Sequence, residues 1–388
     1  MAGSGLGVAA EMALCALSAT PERQSASRRG LLALSLAVAA CLLAVAPAPA
    51  GGNLVLYNWA DYFPPDLLAK FEAETGISVV TEVFESNEAM LANVEAGVGN
   101  YDVIVPSDYM VRIMIDRGLL QSVHASGMDN FRHVKPPFDD PWYDPGREYS
   151  VPNMQGTSGF MYDSRQVEGS KLDESWGEFF DPRAELIRKV VALDDQRELY
   201  QAAAYYLGID PCTEDPAEAQ DILDLLTSQK PKLAYYTSGT NPTLENPLQT
   251  AIDEMGNSVV ALGQVWDGGG RLMKRALPSV VYVVPVEGSA FWQDAYVVPY
   301  SAWNPENARI FLNWIMLPRN IAAVSIYSGY TNAIAGSEAF MEPGLAADQV
   351  NSLSPGFQER LRPVKACSKA AMELNARVWS RLWPRTVK

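Results

Sequence analysis

Between Leu54 and Ser107 short apolar runs alternate with helical stretches, and this alternation restricts the chain to a sheet built largely from parallel strands. Leu54–Tyr57 is the first apolar run. Pro64 and Pro65 then open a helix over Asp66–Glu74, whose Leu67, Leu68 and Phe71 share one face, and Gly76 ends it. Ile77–Phe84 reads as a second strand, Glu85-Ser86-Asn87-Glu88 as the start of a second helix, and Tyr101–Val105 as an apolar strand stopped by Pro106. Sheets of this kind bind ligands just beyond the carboxyl ends of their strands. Trp59 and Ser107 fall at such ends.

A second alternation begins near Gly156. Val190–Leu193 predicts a strand leading into Asp194-Asp195-Gln196-Arg197-Glu198 and a helix through Leu207, and Val259–Val265 predicts a strand ending at Trp266. Gly268-Gly269-Gly270 reads as a turn or a close backbone approach, and Trp292 with Asp294 as a further strand end. Helices are expected over Asn307–Leu317 and Lys369–Leu382. The 338 residues after Ala50 suit two domains of ordinary size.

The first 50 residues read as an export signal: Arg23, Arg28 and Arg29, an apolar run from Gly30 to Val45, and a small-residue cleavage site ending at Ala50. That run is shorter than the ~20 residues a spanning helix needs. Ser27-Arg28-Arg29-Gly30-Leu31-Leu32 fits the twin-arginine pattern, and ordinary signals also carry paired arginines, so both export routes stay open. Val38-Ala39-Ala40-Cys41 resembles a lipoprotein box, but the apolar run continues past Cys41 and favours the later cut. A free periplasmic protein is expected.

Residues 1–50 hold three Arg and two Glu, so the remainder carries 27 basic and 44 acidic residues, a net charge of −17. That excludes nucleic acid as a partner and would draw cations toward a cleft. Only Cys212 and Cys367 lie outside the leader, where they are either joined or left as buried thiols.

Each strand end carries an aromatic residue or a carboxylate: Trp59 with Asp61 and Tyr62, Ser107 with Tyr109, Asp195 with Glu198, Trp266 with Asp267, Trp292 with Asp294. Singly each has a plain structural role. Trp59 and Trp292 can be core aromatics, Asp61 a helix cap, and Asp195 or Glu198 first-turn acids favoured by the helix dipole. Together they suit a linear polyamine, whose ammonium groups need spaced carboxylates and whose methylenes need flat aromatic walls.

Metal and cofactor chemistry finds no support in the sequence. The two histidines, His124 and His133, lie nine residues apart with no ligand cluster at metal spacing, and no phosphate loop occurs. Asp195 and Glu198 could form the acid and base of a secreted hydrolase, which is the catalytic alternative.

Over residues 53–388 the chain resembles the periplasmic spermidine/putrescine-binding proteins of polyamine ABC transporters. The resemblance is carried by Leu56-Tyr57-Asn58-Trp59-Ala60-Asp61-Tyr62, Phe84-Glu85-Ser86-Asn87-Glu88, Tyr101–Ser107, Leu193-Asp194-Asp195-Gln196-Arg197-Glu198 and Phe291-Trp292-Gln293-Asp294. It implies a two-lobed α/β fold of the second periplasmic-binding-protein type, mixed sheets flanked by helices, with ligand in the cleft between lobes. The expected lobes are residues 51–157 with 293–338 and 158–292 with 339–388.

Carried over by position, Trp59, Tyr62, Ser107 and Tyr109 are first-lobe contacts. Asp195, Glu198, Trp266, Trp292 and Asp294 are the opposing acids and walls, Tyr330 is a further wall, and Asp61 and Asp267 are additional acids. The implied protein is a non-catalytic monomeric receptor, without cofactor or metal, that hands a polyamine to a membrane permease. Trp292 is associated with members that prefer spermidine to putrescine. Ala60 replaces a hydroxyl residue and Gln155 a tryptophan frequent in the family. The competing ligand class, an opine or 4-aminobutyrate, carries its own carboxylate and would require Arg197 or Lys365 to turn into the cleft.

Overall fold

The computed structural model describes residues 51–237, 247–351 and 358–383; the export signal lies outside them. The chain is α/β, as the alternation predicts. Eleven strands are described, and eight of them run in the order β2 (Ile77–Phe84), β1 (Gly52–Trp59), β3 (Val103–Ile104), β9 (Ser289–Val297), β4 (Ser150–Asp163), β7 (Leu262–Trp266), β5 (Val190–Leu193), β6 (Leu233–Thr237). Short β10 (Thr331–Asn332) and β8 (Val280–Val283) pair with β4, and β11 (Leu361–Pro363) pairs with β9. Strands β1, β2 and β3 are parallel, as are β5, β6 and β7; β4 runs against all its neighbours, and β9 runs against β3 and β4 but parallel to β11.

Strand β4 is buried along its whole length. Its first part, through Thr157, pairs with β9 and β10; from Ser158 on it pairs with β7 and β8. Leu54, Phe71, Val103, Val151 and Phe311 form a core around the first group of strands, and Phe160, Trp176, Phe179, Ile222 and Leu262 form another around the second. Helices cover both. Pro65–Thr75 ends at Gly76, whose φ of 73° is the left-handed geometry a non-glycine residue resists.

The Ser86 side chain caps Asn87–Glu95, and Asp195 caps Gln196–Leu207 by accepting two backbone N–H groups at 2.9 Å. Asp61 caps nothing: Pro64 stands at that helix's N-cap without a side-chain bond. Among the described residues no single helix is long and apolar enough to cross a membrane. Helices Pro305–Ile315 and Pro318–Ser328 are apolar as a pair, but they meet at 83° and bury Phe311, Leu312, Ile321 and Val324 in the core.

One local expectation resolves to its second alternative and another fails. The Gly268–Gly270 run is not a turn; it lies in the first turn of the helix Asp267–Ala276, although close approach is real. Trp292 and Asp294 stand mid-strand in β9 rather than at a strand end, and their i, i+2 spacing puts both side chains on one face. Cys212 and Cys367 are joined, with Cα atoms 5.1 Å apart. His124 is exposed and pairs with Glu148, and no metal-holding cluster occurs among the described residues.

Candidate functional site

The site is organised around Asp294. An isolated antiparallel bridge joins it to Ser107, just past β3, so the end of one parallel strand abuts the middle of an antiparallel one. The Tyr62 hydroxyl donates to Asp294 Oδ2 at 2.6 Å and the Ser107 hydroxyl to Oδ1 at 2.8 Å. Asn87 fixes Ser107 from behind, donating to its hydroxyl and accepting from its backbone N–H, both at 3.1 Å.

Asp294 is 3% exposed, and among the described ion pairs none includes it. Burial pushes its carboxyl up to about 7 against the two hydroxyls, which pull it down. A buried carboxylate held only by neutral donors is an acceptor for a cation.

Aromatic rings enclose this acid. Tyr330 lies edge-on to Trp292 at 5.0 Å and 5.6 Å from Tyr62. Glycines make room for these rings. A Cβ on Gly156 would sit 2.4 Å from the Trp292 ring, and one on Gly268 would sit 2.5 Å from Tyr330. Gly329, at φ +79°, turns the chain into Tyr330, and a Cβ there would strike the Gly268 carbonyl at 2.3 Å.

Asp267 also borders Gly156. Its Oδ1 accepts from the Thr157 backbone at 3.2 Å, and its Oδ2 lies 2.9 Å from Arg271 Nη1. Burial raises its carboxyl, and Arg271 opposes that rise.

Asp195 and Glu198 form a second acidic group. Burial raises both; the Asp195 charge adds to the rise of Glu198, and the Glu88 charge adds to that of Asp195. Two backbone N–H groups pull the Asp195 carboxyl down, while burial and the Asp195 charge push that of Glu198 up to about 7 against the pull of Ser158, Trp266 and Arg197. Asp195 thus takes the capping role open to it in the sequence. Spending that carboxylate on the backbone leaves a poor catalytic partner for Glu198.

Arg197 does reach toward the site. Its guanidinium lies 3.6 Å from the Tyr109 ring centre, donates to the Lys365 carbonyl at 2.7 Å and approaches Glu88 at 4.0 Å. Tyr109 in turn donates to Glu88 at 3.0 Å. The Lys365 side chain points elsewhere, pairing with Asp210 at 3.1 Å.

Trp59, Tyr109, Trp266, Trp292 and Tyr330 share one hydrophobic cluster, and Glu198, Asp267 and Asp294 all act on the Tyr330 hydroxyl. Eleven of the twelve residues expected from the sequence therefore sit together. Trp59 is anchored by its indole N–H to the Val105 carbonyl at 2.9 Å and by Phe84. Asp61 stands apart: it is exposed in a left-handed turn at φ 53°.

Sequence reasoning missed Asn87, Asp108, Thr157, Gly156 and Arg271. Asp108, between Ser107 and Tyr109, is buried, and its carboxyl is pushed up to about 8 by that burial and by Asp294. Arg271 had a visible signal, its i, i+4 spacing from Asp267.

Residues 66–350 match the model of the bacterial extracellular solute-binding protein family. The spermidine/putrescine-binding periplasmic protein of Salmonella typhimurium is 32% identical over 328 residues, covering 83% of this chain and 89% of the relative. The putrescine-binding periplasmic protein SpuD of Pseudomonas aeruginosa is 30% identical over 334 residues, covering 83% and 89%. Among solved structures, the spermidine/putrescine ABC transporter substrate-binding protein PotD from Streptococcus pneumoniae superposes with a TM-score of 0.70 at 26% identity, covering 86% of this chain and 98% of that one. The chain belongs to the bacterial extracellular solute-binding protein family.

Proposed function

We propose that this protein captures a protonated polyamine and delivers it to an ABC permease, acting as a monomer in the periplasm after removal of residues 1–50. The observation that carries this reading is Asp294, a buried carboxylate with hydroxyl partners and aromatic walls but no cation partner among the described residues. An ammonium group there supplies the missing charge. A charge-assisted hydrogen bond contributes about 1.5–3 kcal/mol and a desolvated cation–π contact about 2 kcal/mol, so two or three anchored amines suffice for the roughly −8 kcal/mol of a micromolar complex.

The names of the relatives support the same ligand class. The ligand contacts in this reading are Trp59, Tyr62, Ser107, Tyr109, Asp195, Glu198, Trp266, Trp292, Asp294 and Tyr330, with Asp61 and Asp267 as additional acids. The lobes are residues 51–157 with 293–338 and 158–292 with 339–388, and the change of partners along β4 at Thr157 and Ser158 supports that division. A cation bridging Asp294 and the Asp195/Glu198 pair would favour the closed arrangement through its differential affinity. The protein performs no chemistry on its ligand.

Among the described residues, Arg197 is the feature that favours a ligand bearing a carboxylate. Its charge is already engaged by Tyr109, Glu88 and the Lys365 carbonyl. A thermal-shift panel separates the two readings. Putrescine and spermidine at hundredfold excess over a micromolar Kd should raise Tm, the linkage being about 2.7 kcal/mol, while 4-aminobutyrate and an opine should not. A rise with 4-aminobutyrate alone would overturn the assignment.

A further inference from the structure

The acids of the cleft are not equivalent, and on the polyamine reading that difference selects ligand length. We propose that Arg271 is a specificity-determining residue: by neutralising Asp267 it leaves two anionic poles, at Asp294 and at the Asp195/Glu198 pair, which match a diamine rather than a triamine.

Asp267 opens the helix Asp267–Ala276, and Arg271 follows one turn later. Arg271 Nη1 lies 2.9 Å from Asp267 Oδ2 and donates to the Gly329 carbonyl at 3.1 Å, while its Nε meets Asp348 at 2.9 Å. Thr157 occupies the other Asp267 oxygen. With Asp267 only 3% exposed, the half-buried Arg271 guanidinium satisfies its charge before any ligand arrives.

The other acids differ. Among the described residues, the Asp294 carboxylate bonds only to hydroxyls. Asp195 and Glu198 face one cation, Arg197, which is shared with Glu88 and a backbone carbonyl, so that pole stays net negative. Asp108, beside Asp294, is buried and accepts from the Tyr109 backbone N–H at 2.8 Å, and burial pushes its carboxyl up to about 8. Asp61 is exposed, where an ion pair is worth little.

A diamine therefore finds an acid for each ammonium group. The third ammonium of a triamine must remain hydrated at the rim or be buried without an acid, which is costly. This points away from the spermidine preference expected from Trp292, because an unmatched buried charge outweighs a difference between aromatic walls.

Calorimetric titration of the full mature protein with putrescine and spermidine tests the proposal. The parent should bind putrescine about tenfold more tightly than spermidine, the factor expected for one charge-assisted hydrogen bond. Arg271→Gln, which frees Asp267, should gain about tenfold for spermidine and collapse that ratio. Arg271→Lys, which keeps the charge, should retain it.

General structural damage would weaken both ligands together and leave the ratio alone. If Arg271→Gln does not fold, Arg271→Gln with Asp348→Asn removes the stranded outer acid and gives the same readout. A parent that prefers spermidine, or a ratio unchanged in Arg271→Gln, overturns the role of Arg271 while leaving polyamine binding intact. Failure of the parent to bind either ligand overturns the polyamine reading itself.

Discussion

Asp294→Ala should weaken polyamine binding by more than about tenfold while the Tm of the ligand-free protein stays nearly unchanged. The asymmetry follows from the partners of Asp294. It is a buried carboxylate without a cation among the described residues, so its charge costs the ligand-free protein nearly what its bonds from Tyr62 and Ser107 return. An ammonium ligand converts that cost into an ion pair, and alanine removes the gain.

The same residue sets a pH dependence with opposite signs for binding and stability. The ligand pairs with the carboxylate, and its carboxyl lies near 7, so affinity is full above about pH 7 and falls about tenfold per unit below it. Stability of the ligand-free fold runs the other way. A carboxyl raised on folding contributes stability that is fully present below its ordinary range and lost as pH rises through 7. Asp294→Ala should flatten both curves. Binding by the variant equal to the parent's, or an unaltered pH profile, would remove Asp294 from the site.

Replacing both Cys212 and Cys367 by serine should produce the largest loss of stability. The bridge spans a sequence separation of 155 and ties the loop after Gln196–Leu207 to the segment after β11. The contacts beside it, Lys365 with Asp210 and Ser368 with Glu214, involve exposed partners and hold that segment weakly alone. Removing a native disulfide costs about 2–5 kcal/mol, which for a chain of this size lowers Tm by about 3–7 °C. Scanning calorimetry of parent and double variant, with and without reductant, measures it. A parent whose Tm ignores reductant would show that the bridge does not form in solution.

Much of the architecture was legible because the signals are local. Gly76 at a helix end, Ser86 and Asp195 at helix starts and the apolar spacing of Lys369–Leu382 act within a few residues, and each element appears where its pattern places it. What escaped depends on partners distant in sequence. Trp292 and Asp294 read as a strand end because Gln293 and Asp294 break the apolar run, yet β4 and β3 flank β9 there and carry it onward to Val297. The three glycines read as a turn or a close backbone approach; the approach is real, but the Asp267–Arg271 pair spans the first turn of a helix that admits them.

The roster of site residues was likewise readable, since aromatic residues and acids recur at the ends of apolar runs. Their electrostatic states were not. Which acid is free, which is paired and which is protonated depends on neighbours such as Arg271, Arg197 and Ser107, which only the tertiary fold assembles.

Isothermal titration calorimetry of the mature protein, cleared of carried-over ligand by mild unfolding and refolding, tests the central claim most directly. Titrated at pH 7.5 with putrescine, spermidine and spermine in turn, it should give saturable heat at one ligand per chain and a Kd of about micromolar or tighter for putrescine or spermidine. No heat from any of the three at concentrations of about tens of micromolar would contradict the account.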